Sequence, residues 1–435
     1  MFGLLLGLLL CSSWAAFLWR YYLRYRQYLV HRANEKRPQE VEDLITVEDY
    51  AKARDYNLDR HKYFFAYELF NQIWTTVLFT SGWLPWLWEV SSALPLQSIT
   101  FLILKLVLDS SIELPWEMYS NLVVEQKHGF NKQTLGFFLK DRLKQFILLL
   151  ICLIVLFAFT EWITNNGGPN FFIHIWLVVS GLAFVFLHIF PEYIAPWFDK
   201  FVPLPDGELK AALEKQAASL NFPLTKLLVV IGSKRSAHSN AYLYGFWNNK
   251  RIVLFDTLLC SEEKQKVLKV CGEAAQEVDT SEKARGLTND EVLAVLGHEL
   301  GHWYLWHFWI LLSLLDLNLL VMLMAFAKFY KWAPLYEVFG FSGTPTIIGI
   351  ILVYTFVLGP YFELAKTLMN TAVRRCEYAA DGFSANLGYG DQLVGGLKKL
   401  GKDNLYLPVD DPLYSMCNHD HPTVAERIEA IKKRQ

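Results

Sequence analysis

Residues 288 to 303 read TNDEVLAVLGHELGHW. His298 and His302 stand four apart, with Glu299 after the first. On a helix that spacing is one turn on one face, so both imidazoles reach a single ion. Zinc takes nitrogen ligands at about 2.0–2.1 Å in a tetrahedral set. A carboxylate placed as Glu299 is, near the open position, can take a proton from the attacking water. The chemistry is metal-assisted hydrolysis. Two ordinary core histidines are the competing reading. Against it, Thr288 and Glu291 fit a capping box, and Val292, Leu293, Val295 and Leu296 follow with helical periodicity. The motif requires a helix of that kind.

A catalytic zinc site needs a third protein ligand. The stretch RRCEYAADG offers Glu377 and Asp381, one helical turn apart. Glu377 can bind the metal while Asp381 accepts a hydrogen bond from a ligand histidine. Ordinary ion pairs with Arg374 and Arg375 on a solvated helix face are the alternative. Near the end, NHDHPTVAERIEAI puts His421 before a proline and Arg427 on the helix that follows. Both can steady a developing oxyanion or a substrate carboxylate. A capped surface helix explains them equally well.

The elements around these residues read as membrane spans. A bilayer core of about 30 Å needs roughly 20 apolar residues in a helix. Seven stretches qualify or nearly do: residues 1–19, 68–89, 96–115, 145–164, 171–190, 305–330 and 344–362. Pro85, Pro115 and Pro360 blur three of them. The first stretch has no positive residues ahead of it and Arg20, Arg24, Arg26 and Arg32 behind it, the reverse of a signal peptide. It reads as an uncleaved span. Lys and Arg crowd alternate connections, so the positive-inside rule puts the N-terminus in the lumen and the C-terminus in the cytosol.

The expected division is therefore residues 1–190 (spans one to five with cytosolic loops), 191–304 (a first cytosolic catalytic part), 305–362 (spans six and seven) and 363–435 (a second catalytic part). Each soluble part is small for a domain, and together they can share one core. The first contains apolar runs within LLVVIGSKRSAHSNAYLYGFWNNKRIVLFDTLL that read as a hairpin turning at Asn248-Asn249. The remainder reads as helix. The fold class is thus an all-α polytopic membrane protein carrying an α+β zinc metalloprotease domain. Charged residues make up 19% of the chain and aromatics 15%, which disfavours a purely soluble protein. A net charge of −2 gives no reason to expect nucleic acid as a partner. The six cysteines are scattered, with no CxxC pair, and read as free thiols.

With these residues in view, the chain resembles the type I CAAX prenyl endopeptidases, integral-membrane zinc peptidases that process farnesylated proteins. The resemblance runs from about residue 60 to the end. Beside VLGHELGHW it rests on KHGFN at 127–131, FVPLPDGELK at 201–210, RSAHSNAYLYGF at 235–246, FDTLL at 255–259, CEYAAD at 376–381 and HPTVAERI at 421–428. It implies seven helices in a barrel around a large water-filled chamber, closed by a gluzincin-like domain with one zinc ion. Residues such as Asp109, Glu113, Asp316 and Glu363 would line that chamber; helix–helix pairing is the alternative. By the resemblance His298, His302 and Glu377 are the metal ligands and Glu299 the base. Asp381 supports them, and His421 and Arg427 lie near the scissile bond. Asn240, Ala241, Tyr242, Leu243, Tyr244 and Gly245 match an edge strand on which the peptide lies as an added strand. The implied substrates are prenylated CAAX proteins, cut after the prenyl cysteine and in some members also upstream, and the implied partner is membrane lipid. The implied address is the endoplasmic reticulum membrane, extending to the inner nuclear membrane. The tail KKRQ is similar to a dilysine retrieval signal.

Three departures stand out. Cys376 replaces a common aromatic, Thr423 a frequent second proline, and residues before 20 are unlike the usual start. Two rivals share the same residues. One is a quality-control peptidase indifferent to the lipid; the other is a scaffold or translocon-clearing factor, against which an intact Glu299 argues.

Overall fold

A computed structural model describes residues 2–246, 248–272 and 286–434. The first half is helical: α1 (Phe2–Ala33), α2 (Val47–Thr80), α3 (Trp83–Ser91), α4 (Gln97–Tyr119), α5 (Leu135–Asn166) and α6 (Phe171–Ile189). Then come β1 (Phe201–Pro203), α7 (Glu208–Ser219), β2 (Leu224–Val230), β3 (Ala241–Phe246), β4 (Asn249–Phe255) and α8 (Ser261–Val270). The rest is α9 (Asn289–Tyr304), α10 (His307–Phe329), α11 (Ala333–Glu337), α12 (Thr346–Leu352), α13 (Gly359–Ser384), α14 (Gly390–Asp403), α15 (Pro412–Asn418) and α16 (Val424–Lys432).

Among the described residues four helices are long and apolar enough to cross a bilayer: Gly3–Ala33, Leu135–Asn166, Phe171–Trp197 and His307–Phe329. A pair bent by 68°, Thr346–Val357 with Gly359–Asp403, makes a fifth if counted as one span. Pro360 stands at that bend. Only 6–17% of the apolar windows of the four helices is buried, so their apolar faces look outward, as contact with lipid requires. The expected second and third spans fall on α2 with α3 and on α4, and neither helix passes the same test. Asn71 and Gln72 dilute the apolar run of α2, and α4 carries Lys105, Asp109, Glu113 and Glu117.

The four carboxylates expected along a chamber each have a partner. Asp109 takes Lys105 of its own helix at 2.6 Å. Glu363 joins α13 to Arg20 of α1 at 2.9 Å. Glu113 accepts from Tyr67 of α2, and Asp316 from Ser180 of α6. Pairing lowers the cost of a charge away from water.

The portion between α6 and α9 is built on a four-stranded sheet ordered β1-β2-β4-β3. β3 and β4 form an antiparallel hairpin, as the apolar runs predict, although Asn249 already belongs to β4. β2 runs parallel to β4, and β1 joins β2 antiparallel. Ordering puts β3 at the edge. Leu227, Val229, Ile252 and Leu254 face Leu293, Leu296 and Leu300 of α9 in one apolar core. The KHGFN segment between α4 and α5 clamps the approach to β3. Asn131 bridges Ser236, and Phe130 stacks on His238 with ring centres 4.1 Å apart. Lys127 and His128 are anchored on Asp59 of α2.

Two glycines let α13 lie against α9. A Cβ at Gly301 would stand 3.1 Å from both Ala380 Cα and Phe383 Cβ, and one at Gly297 2.8 Å from Ser384 Oγ. So α13 is what presses on Gly301. Gly301→Val is expected to cost about 1–3 kcal/mol by overpacking. A lowered melting temperature of the detergent-solubilised protein would report it, and an unchanged one would deny the close contact.

Candidate active site

Three helices and one loop assemble the site. α9 begins on Thr288, whose hydroxyl accepts from Glu291 N while Glu291 Oε2 accepts from Thr288 N, closing the expected capping box. One turn from its other end it presents His298 and His302. α13 brings Glu377 and Asp381 against them, tied to α9 by Ser384 Oγ donating to the Ala294 carbonyl at 2.8 Å. α16 supplies Arg427, and the turn before it His421.

His298, His302 and Glu377 put ligand-type atoms within 4.8 Å of one another. The two Nε2 atoms are 3.1 Å apart. Glu377 Oε1 is 3.2 Å from His302 Nε2, and Oε2 is 3.5 Å from His298 Nε2. Ligand atoms at tetrahedral zinc distances lie about 3.3 Å apart. Glu377 Oε2 is buried with no hydrogen-bond partner. An orphaned buried carboxylate oxygen beside two converging ring nitrogens is costly without a cation. Nitrogen and oxygen donors of this kind suit zinc, so the residues fit the ion.

The supporting contacts are as specific. Asp381 Oδ1 lies 2.9 Å from His298 Nδ1, on the side of the ring away from the ligand cluster. Arg427 grips Asp381 with both arms, Nε to Oδ2 at 2.8 Å and Nη2 to Oδ1 at 2.6 Å. Burial pushes the Asp381 carboxyl upward, but Arg427 and His298 outweigh it and hold it well below the usual range. Burial acts likewise on Glu377; His302, His298 and Arg427 overcome it and hold the carboxyl at about 2. Glu299 differs. Burial dominates there and raises its carboxyl.

His421 approaches from outside, Nε2 3.5 Å from Glu377 Oε1, while Nδ1 meets Asp420 at 2.9 Å. The Asp420 hydrogen bond raises the imidazole above its ordinary value, against the pull of burial. Thr423, in place of a proline, earns a structural explanation: its hydroxyl and N–H form a capping box with Glu426. Arg374 fastens the turn, donating to Glu426 and to the His421 carbonyl. Sequence reading put Arg427 near the reacting atoms; here its fork is taken up by Asp381, and its Nη1 reaches Glu377 Oε2 only at 3.6 Å.

A cavity of about 1050 Å³ opens on this cluster. Glu299 and His302 form part of its wall, with Tyr242, Leu243, Tyr244 and Gly245 of the edge strand and with Trp303, Trp306 and Trp309. Asn240 stands just before β3, and Ala241 pairs with Leu254. One residue escaped the sequence reading. His307, the first residue of α10, is buried and sets its Nδ1 2.9 Å from His302 Nδ1. Its only signal was a third histidine five residues past the motif, at the edge of an apolar run.

The comparisons agree across the whole chain. Residues 27–200 match the family described as CAAX prenyl protease N-terminal, five membrane helices. Residues 203–435 match peptidase family M48. The chain is 49% identical to the CAAX prenyl protease 1 homolog of Caenorhabditis elegans, over 98% of this chain and 97% of that one. It is 39% identical to the human CAAX prenyl protease 1 homolog, over 98% and 95%. The crystal structure of S. mikatae Ste24p superposes with a TM-score of 0.85 at 31% identity, covering 98% of each chain. The chain belongs to peptidase family M48, with the N-terminal membrane region of the CAAX prenyl proteases.

Proposed function

We propose that this chain is a zinc metalloendopeptidase that removes the C-terminal tripeptide from prenylated CAAX proteins. The observation that carries the reading is the cluster of His298, His302 and Glu377, of which His302 joins Glu299 and the edge strand β3 in lining an apolar cavity. Relatives named CAAX prenyl proteases over nearly the full length support the substrate class.

His298, His302 and Glu377 would hold one zinc ion, which when bound supplies Lewis-acid polarisation of the scissile carbonyl and activation of water. The chain does the rest. β3 offers its unpaired edge to the peptide as an added strand, from Asn240 to Gly245. Glu299 takes the proton of the attacking water and passes it to the leaving amine. His421, held by Asp420, turns Nε2 toward the developing oxyanion. Asp381 fixes the tautomer and orientation of His298, and Arg427 keeps Asp381 charged. A farnesyl chain adds membrane affinity, so a membrane-bound enzyme meets such substrates where they reside.

The architecture in this reading is seven spans around a water-filled chamber, residues 1–190 and 305–362, with the zinc domain divided between 191–304 and 363–435. The second and third spans fall on α2 with α3 and on α4. The N-terminus is lumenal and the site cytosolic, in the endoplasmic reticulum membrane and the inner nuclear membrane.

Purified protein and a farnesylated CAAX peptide test this. The expected products, by mass spectrometry, are the free tripeptide and the prenyl-cysteine peptide. Chelator should abolish the reaction and about one equivalent of zinc restore it. Cleavage elsewhere, or cleavage indifferent to chelator, would contradict the proposal.

A further inference from the structure

We infer that His307 is a positioning residue for the metal centre, accepting a hydrogen bond from His302 as Asp381 does from His298. The inference rests on the metal reading above. His302 turns Nε2 to the cluster, 3.1 Å from His298 Nε2 and 3.2 Å from Glu377 Oε1. A ring that binds through Nε2 carries its proton on Nδ1. That Nδ1 lies 2.9 Å from His307 Nδ1, in a buried setting. The rings meet edge to face, with centres 5.0 Å apart at 72°. His307 Nδ1 is then the acceptor, and its own proton sits on Nε2.

The backbone between them is built for this contact. Five residues along a continuous helix turn about 500°, which would leave His302 and His307 some 140° apart. They meet because the helix breaks at Trp306, a non-glycine residue at φ 62°. A residue that carries a side chain rarely adopts this left-handed conformation. The break ends α9, starts α10 and returns His307 onto the ring of His302. One ligand is thus oriented by a carboxylate from α13, the other by a neutral ring at the head of an apolar helix. Loss of such an outer contact typically weakens metal binding 10–100-fold.

The test measures zinc retention, not cleavage. Zinc transfer to a chromophoric chelator is followed for the parent protein and for His307→Phe, which keeps an aromatic ring and removes the acceptor. Zinc should leave the variant about 10–100 times faster. His307→Asn sets a carbonyl oxygen near the place of Nδ1 and should stay within a few-fold of the parent. His307→Gln sets it nearer Nε2 and should behave like Phe. Melting of each variant in chelator reports folding apart from metal. Should Phe fail to fold, the Asn and Gln variants decide, and equal retention in both overturns the assignment. Retention in His307→Phe equal to the parent also overturns it, leaving the hydrolytic reading untouched. A parent chain that binds no zinc overturns the metal reading itself, and this inference with it.

Discussion

Glu299→Gln is expected to lower kcat for cleavage of a prenylated peptide by about 10²–10⁴-fold while zinc content stays unchanged. Glutamine keeps the shape and removes the ability to take a proton. Glu299 follows the first ligand on α9 and faces the cavity beside His302. It is not one of the three clustered ligand residues, so the variant keeps all three. Burial raises its carboxyl, bringing a weak base nearer to the pH at which general bases work best. Single-turnover rates with parallel metal analysis separate the two effects. A variant that keeps a tenth or more of the parent rate would remove Glu299 from the chemistry. It would also revive the scaffold reading, in which an intact base has no use.

Arg427→Met is expected to destabilise the protein by about 3–5 kcal/mol. Asp381 is 1% exposed and Arg427 12% by side chain, and two short contacts of 2.6 and 2.8 Å join them. Removing the cation strands a buried carboxylate, and that penalty exceeds the net worth of the pair. Arg427→Met combined with Asp381→Asn removes both charges and should regain part of the loss. Thermal melting of the single and double variants, with zinc present and with chelator, measures this. The effect should persist in chelator, because the ion pair is a feature of the polypeptide. A single variant as stable as the parent would mean that the fork is solvated.

Much of the site was legible because its parts are local. The cap at Thr288, the apolar run and the two histidines share one helix, so helical spacing alone placed them. Glu377 and Asp381 share another. What spacing could not supply was how α9 and α13 meet, which turns on Gly297 and Gly301 and on Ser384 reaching Ala294. Sheet order was hidden for a similar reason. The β3–β4 hairpin is a neighbour pairing, whereas β2 beside β4 requires a crossover and β1 is only three residues long. His307 was invisible because its contact depends on a left-handed Trp306, a conformation that a tryptophan gives no reason to expect. Arg427 was read from its place on the helix after His421 as a residue near the substrate; its pairing with Asp381 depends on how α16 meets α13, which spacing could not supply. In the membrane part, apolar runs marked the spans and charged connections their orientation, whereas the pairing of Asp109 with Lys105 and of Glu113 with Tyr67 appears only in the structure.

The central claim is that a zinc peptidase site here serves a lipid-bearing substrate. The most direct test compares kcat/KM for one CAAX peptide in farnesylated and unprenylated forms, with purified protein in defined lipid. Cleavage after the prenyl cysteine, at least tenfold more efficient for the farnesylated form and absent in Glu299→Gln, is the predicted result. Equal cleavage of both forms would contradict it and favour a peptidase that ignores the lipid.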